Sequence, residues 1–173
     1  MQIKPEIELT SIEHEAVTEL RNQSFPSFEF DRSYFKQLPH MRALEVHNDR
    51  LVAYMGLDYR AVRVGSYVYN VLGVIDFCVD KEYRKQGIGS RMLSELTHYA
   101  EEKNVDFIVL MSELNVFYLK NGFQRVELES EWLRINEHKS YGVASEYIDD
   151  LYIKKVGAKE WYSGPMDWLG YMY

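Results

Sequence analysis

The sequence holds one cysteine, Cys78, set inside an apolar run, so no intrachain disulfide can form and the thiol reads as a small buried hydrophobe. That usage fits a reducing compartment, and a cytoplasmic location is expected. Nowhere do the roughly 18 consecutive apolar residues that cross a bilayer occur, and Met1-Gln2-Ile3-Lys4-Pro5-Glu6 lacks a signal-peptide pattern, so no membrane association is expected. Positive charge is scarce as well: 20 Lys and Arg stand against 27 Asp and Glu, for a formal net charge of −7. Binding along a phosphate backbone needs clustered cations that displace counterions, so nucleic acid is excluded as an expected partner, and the acidic balance favours a small cationic molecule. None of His14, His40, His47, His98 and His138 stands at metal-ligand spacing from another, and no catalytic metal is expected. Internal repeats and low-complexity stretches are missing.

What is present suits one folded domain over residues 1–173, with 46% apolar and 27% charged residues. Ala16, Val17 and Leu20 give Glu13 to Arg21 a helical spacing that Ser24-Phe25-Pro26-Ser27 interrupts. A second short helix is expected near Ser33 to Leu38, stopped by Pro39. Between Ala43 and Val79 the pattern turns to strands, punctuated at Asn48-Asp49 and Gly65-Ser66, which predicts an antiparallel meander. Met92, Leu93, Leu96, Tyr99 and Ala100 then share one helical face, with His98 on the solvated side, and Phe107 to Met111 is a short apolar run of the kind buried on both faces. Strand, helix and strand make one parallel crossover. A short helix from Leu114 ends at Asn121-Gly122, Phe123 opens another strand, and Tyr147 to Ile153 reads as a strand. The fold class expected is therefore mixed α/β, a mostly antiparallel sheet with one parallel crossover and helices on both faces. The aromatic end, Trp161 to Tyr173, could wall a pocket, form a homodimer surface or pack over a sheet edge.

The densest chemical signal is the join between the strand Val71 to Val79 and the amphipathic helix, through Arg84-Lys85-Gln86-Gly87-Ile88-Gly89-Ser90. The first turn of a helix has four amide N–H groups without intrahelical partners and a positive dipole end, and glycines let a backbone approach an anion closely. The same glycines could simply relieve a tight connection. A Walker loop is excluded because no Gly-Lys-Ser/Thr follows, and a Rossmann fingerprint because the third glycine near Met92 is missing.

Phe77-Cys78-Val79-Asp80 through Leu93 resembles the acetyl-coenzyme A motif of the GNAT acyltransferase superfamily, whose form Arg/Gln-x-x-Gly-x-Gly/Ala is met by Arg84, Gly87 and Gly89. A second family element, an aromatic pair followed by glycine and an aromatic, is present as Phe117-Tyr118-Leu119-Lys120-Asn121-Gly122-Phe123. The resemblance implies an acetyl-CoA-dependent N-acetyltransferase with coenzyme A as product. It implies that backbone groups near Phe77, Cys78 and Val79 hold the pantetheine arm like an added strand and offer an oxyanion donor. It also implies that Arg84, Lys85, Gln86, Gly87, Ile88, Gly89 and Ser90 carry the pyrophosphate, and that the acceptor amine attacks the thioester directly.

Two proton transfers then need groups. Tyr118 matches the family's acid, although Leu114, Phe117 and Tyr118 also have the i, i+3, i+4 spacing of core residues. Asp76, two residues before Cys78 and on its face, is the expected base, with Glu113 or ordered water as rivals. The segment Met111-Ser112-Glu113-Leu114-Asn115 is shorter than family members often have before the tyrosine, which leaves the acceptor side open. The acceptor expected is a primary amine of a small cationic molecule. A protein N-terminus or lysine, and a non-catalytic acyl-CoA sensor, are the alternatives.

Overall fold

In a computed structural model that describes residues 1–173, strands β1 (Gln2–Pro5), β2 (Met41–His47), β3 (Arg50–Val64) and β4 (Tyr67–Val79) precede β5 (Phe107–Met111), β6 (Gln124–Asn136), β7 (Lys139–Lys155) and β8 (Met166–Tyr171). Helices α1 (Ser11–Ser24), α2 (Ile88–Glu101) and α3 (Asn115–Lys120) are interleaved with them. The chain divides into two units, Met1–Asp58 with Val74–Glu95, and Tyr59–Gly73 with Leu96–Tyr173. The mixed α/β class expected from the sequence is the one observed.

In the first unit, α1 begins where Thr10 accepts from the Glu13 amide and Glu13 reaches back to the Thr10 amide, a reciprocal pair that satisfies two donors at the helix start. Strands β1, β2 and β3 pair antiparallel, with Ala43 opposite both Ile3 and Met55. The turn between β2 and β3 is Asn48-Asp49, both left-handed at φ 50° and 60°, as a two-residue hairpin demands. Val17 and Leu20 of α1, Leu44, Tyr54 and Cys78 form one buried cluster.

The helix expected at Ser33 to Leu38 does not form; that stretch is a series of bends, and a single 3-10 turn stands earlier at Pro26–Phe28. Side chains take the place of helical hydrogen bonds there. Arg32 donates to the carbonyls of Tyr34 and Phe35, and just before the stretch Asn22 both donates to Phe30 O and accepts from Phe30 N.

The second unit contains the parallel strand pair expected from the sequence and a feature the sequence did not announce. β4 pairs parallel with β5 over Val71, Leu72 and Gly73 against Phe107, Ile108 and Val109. From there the order is β5, β7, β6, β8, and β8 returns to β3 through Arg63 with Asp167 and Val64 with Met166. The strands of this unit thus close on themselves, which leaves no edge open between β3 and β6. β6 also lies parallel to β8, a second parallel pairing beside the expected one. β6 and β7 extend far beyond the expected Tyr147 to Ile153. Along β6, Leu128, Ser130 and Trp132 are buried while Glu127, Glu129 and Glu131 are exposed, the alternation of a half-buried strand.

The aromatic end packs into this unit. Trp161 stacks on Tyr69 at 5.3 Å, Tyr162 stacks on Tyr67 at 4.0 Å, and Trp168 is fully buried with its Nε1 donating to Ser130 Oγ at 2.8 Å. A Cβ at Gly73 would run into the Tyr173 phenol, so a larger residue there would need that terminal ring to shift. Trp168 is the largest fully buried side chain of β8. Trp168→Ala is expected to cost roughly 3–5 kcal/mol of stability through lost burial and the cavity left behind. A chemical denaturation curve checks this, and a loss below about 1 kcal/mol would show that β8 is not held by its tryptophan.

Candidate active site

The later half of β4 belongs to the first unit and is irregular where chemistry is expected. Asp76 is left-handed at φ 50°, and Ile75, Asp76 and Phe77 are all half-exposed in succession. A non-glycine residue in that region breaks the pleat and turns backbone groups away from the ladder. Asp76 accepts from Arg21 Nε of α1 at 2.9 Å, and Cys78 packs near Leu20 O of the same helix. Both side chains therefore point toward α1 and share a face, as their two-residue spacing predicted. Burial pushes the Cys78 thiol up to about 12, with a bond to Ser24 working the other way, so the sulfur is an inert core group and Cys78 has only its backbone to offer a ligand.

After Val79 the chain makes a charged turn fixed by its own side chains. Asp80, 3% exposed, accepts from the Glu82 amide and from Arg50 Nη2, at 2.8 and 2.6 Å. Arg84 Nε donates to Val79 O and Gln86 Nε2 to Glu82 O, so these two residues shape the turn while Lys85 stays exposed. Lys85 and Gly87 are left-handed at φ 63° and 81°. Gly87 has nothing within 4 Å of a built Cβ, so glycine is demanded by conformation and not by crowding.

Helix α2 starts at once. Arg91 N donates to Gly87 O, which leaves the amides of Ile88, Gly89 and Ser90 as first-turn donors without intrahelical partners. No acidic residue occupies that first turn, so nothing in the helix competes for an anion. Ile88, 5% exposed, anchors the start in the core, and Met92, Leu93, Leu96 and Ala100 bury the inner face while His98 is exposed as expected. Arg91 ties the helix to β2 by donating to Glu45 at 2.7 Å. Glu45 is buried, which works against its charge, yet Arg91, His47 and the N-terminal ammonium hold its carboxyl down at about 2.

In the second unit, α3 ends with Asn121 as its cap and Gly122 at φ 82°. That turn carries Phe123 beneath Tyr118, with ring centroids 5.5 Å apart. Tyr118 is 5% exposed and packs also on Phe117 and Tyr152. Burial pushes its phenol up to about 12, partly offset by a hydrogen bond with Ser112. Glu113 is exposed, which distinguishes it from Asp150, a half-buried carboxylate on β7. Burial raises the proton affinity of Asp150, and the charges of Asp149 and Glu113 add to that. Sequence reasoning passed over Asp150, because it follows Asp149 directly and only the folded strand distinguishes the half-buried carboxylate from its exposed neighbour. No cluster of His, Cys, Asp and Glu able to hold a metal ion is present, and no helix is long and apolar enough to cross a membrane.

Residues 44–125 match the family model of the acetyltransferase (GNAT) domain. Among curated proteins none matches the sequence. Among solved structures, the GNAT family N-acetyltransferase YhbS of Escherichia coli in complex with CoA is similar over 96% of this chain and 88% of its own, at 12% identity and a TM-score of 0.63. An aminoglycoside 6'-N-acetyltransferase complexed with coenzyme A is similar over 92% and 99%, at 15% identity and a TM-score of 0.60. Escherichia coli ElaA is similar over 89% and 97%, at 17% identity and a TM-score of 0.61. At these identities the structures share a fold with this chain.

The Glu45 contacts make a prediction about pH. Its folded-state value lies below the ordinary 4.5, so its stabilisation is fully present above about 4.5 and is lost as pH falls toward about 2. Replacing Glu45 by Gln is expected to flatten the fall in denaturation free energy across that window. An unchanged acid profile in the variant would show that the Arg91 and His47 contacts contribute nothing.

Proposed function

We propose that this chain, which carries a GNAT acetyltransferase domain over residues 44–125, transfers an acetyl group from acetyl-CoA to a primary amine. The observation that carries the proposal is the start of α2, where a left-handed Gly87 delivers acid-free, unspent amides directly after β4. That donor set fits a pyrophosphate, as the coenzyme A held by two of the similar structures supports. In this reading Gly87, Ile88, Gly89 and Ser90 bind it through backbone amides. Arg84, Lys85 and Gln86 shape and charge the turn, and the backbone of Phe77, Cys78 and Val79 takes the pantetheine arm beside the break at Asp76.

When bound, the thioester supplies an activated acyl group and a thiolate leaving group. The chain's own groups have three tasks. In this reading a backbone amide of Phe77-Cys78-Val79, beside the break at Asp76, is the donor for developing charge on the carbonyl oxygen. Asp76, held in place by Arg21, receives the acceptor's ammonium and passes its proton toward solvent. Tyr118 stands protonated at neutral pH, since its phenol is pushed up to about 12. A thiol at about 8.5 is the stronger acid, so full transfer from Tyr118 runs uphill, and its contribution is a hydrogen bond to the forming thiolate.

Release of free thiol in the presence of acetyl-CoA and an amine panel tests the proposal. Tyr118→Phe is expected to lower kcat roughly a hundredfold with little change in cofactor affinity, because only the hydroxyl is removed. Asp76→Asn is expected to act through kcat/KM for the amine. Turnover unaffected by Tyr118→Phe would remove the tyrosine from the chemistry, and cofactor binding without turnover of any amine would favour a sensor.

A further inference from the structure

We infer that Tyr54 sets the acceptor class: its hydroxyl accepts the N–H that the acceptor nitrogen keeps throughout the reaction, and so selects primary over secondary amines. The inference rests on the acyl-transfer reading and adds a residue to it.

Tyr54 is 0% exposed, and its hydroxyl is buried with no hydrogen-bond partner in the fold. Leu44 stands opposite it on β2, and the ring packs with Val17 and Leu20 of α1 and with Cys78. Arg42 comes within 5.8 Å of the ring centroid but donates to Glu6 and Ser33. All of these residues belong to the first unit. A phenylalanine would fill the same space without burying an oxygen that bonds to nothing, so folding gains nothing from this hydroxyl. Burial pushes the phenol well above its ordinary value, so the group stands neutral and keeps lone pairs to offer.

The strand register places that side chain beside Asp76. A Cβ on Gly56 would lie 3.4 Å from Ile75 Cβ, so these two are cross-strand neighbours, and four residues along β3 the Val52 carbonyl accepts from the Asp80 amide at 2.8 Å. Between these ties Ala53, Tyr54 and Met55 face Asp76, Phe77, Cys78 and Val79. β4 thus carries one extra residue, a bulge at the left-handed Asp76. Counting back from Asp80 sets Tyr54 opposite Cys78, with which it packs. Asp76, two residues along on the same face, is then its diagonal neighbour, within reach of an aromatic side chain.

An amine at Asp76 therefore meets two groups. Once the ammonium has lost its first proton, a primary amine has two N–H bonds, one for the Asp76 carboxylate and one for Tyr54 Oη, and the pair fixes its lone pair on the thioester carbonyl. As the N–C bond forms and the C–S bond breaks with its electrons leaving on sulfur, the proton shed by nitrogen passes to Asp76. The N–H that remains in the amide product stays on Tyr54. A secondary amine gives a product with no N–H, so it cannot hold that bond through the transition state. Phe25, half-buried at the end of α1, packs over the cluster, and its ring has no hydrogen bond to break in turning aside to admit the nitrogen.

Paired amines that differ by one N-methyl group test this. With acetyl-CoA present, kcat/KM is measured for phenethylamine against N-methylphenethylamine and for putrescine against N,N'-dimethylputrescine, in the native protein and in Tyr54→Phe. The native protein is expected to prefer at least one primary amine by about tenfold or more, and Tyr54→Phe to remove most of that preference. The variant's melting temperature is expected to stay level or rise by about 2–4 °C, because the oxygen it lacks has no partner in the free protein. Equal turnover of both members by the native protein, a ratio unchanged in Tyr54→Phe, a lower melting temperature in the variant, or no turnover of either primary amine overturns the inference. Calorimetric binding of coenzyme A in the same samples distinguishes the two ways of failing: if binding is retained, only the role of Tyr54 has failed, and if it is absent, the acyl-transfer reading fails with it.

Discussion

Unspent backbone hydrogen bonds at the start of α2 are the constraint around which the first unit is arranged. A helix N-terminus offers amides only if nothing else uses them, and here the first turn has no acidic side chain and the preceding residue is a left-handed glycine. The neighbouring turn consumes its own polar groups instead, through Asp80, Arg84 and Gln86. Ile88 and Met92 fix the helix from below, and Arg91 fixes it to β2 through Glu45. Preorganisation of this kind matters because amides that need not move to meet an anion incur no reorganisation cost on binding.

The second unit solves a different problem, that of holding a tyrosine rigidly in apolar surroundings. Closure of its strands through β8 buries Trp168 and Met166 and gives β6 and β7 a face to pack on. Tyr118 stands on a helix of six residues, too short to be stable alone. Its ring is wedged by Phe117, Phe123 and Tyr152, and Tyr152 in turn donates to Asn115 at the start of that helix. The side chain is thus both a core residue and a candidate donor, so the two alternatives left open by its spacing are compatible.

Local signals were legible and distant ones were not. The turn Arg84 to Ser90, the hairpin at Asn48-Asp49 and the end of α3 at Gly122 each depend on residues a few positions apart, whose types fix the backbone directly. Arg21 could not be read as a partner of Asp76, because the two lie 55 residues apart and nothing in a helix of alternating polar and apolar positions marks one arginine for burial. The helix expected before Pro39 failed for a related reason, since the Arg32 side chain satisfies the carbonyls of Tyr34 and Phe35 there. The β6–β7 hairpin was underestimated because its turn, Glu137-His138, takes left-handed conformations without glycine, at φ 46° and 58°. Asp76 marks the limit of pattern reading in another way: alternation placed its side chain on the face of Cys78, while its left-handed backbone leaves no trace in the sequence.

The measurement that bears most directly on the start of α2 is acetyl-CoA binding by calorimetry, with the native chain set against a Gly87→Glu, Gly89→Glu double variant. Micromolar binding by the native protein and its loss in the variant are expected, because the variant places carboxylates where the amides would meet pyrophosphate and forces a side chain into the left-handed position of Gly87. Absence of binding by the native chain, or equal binding by a variant with unchanged melting temperature, would contradict the role given to these amides.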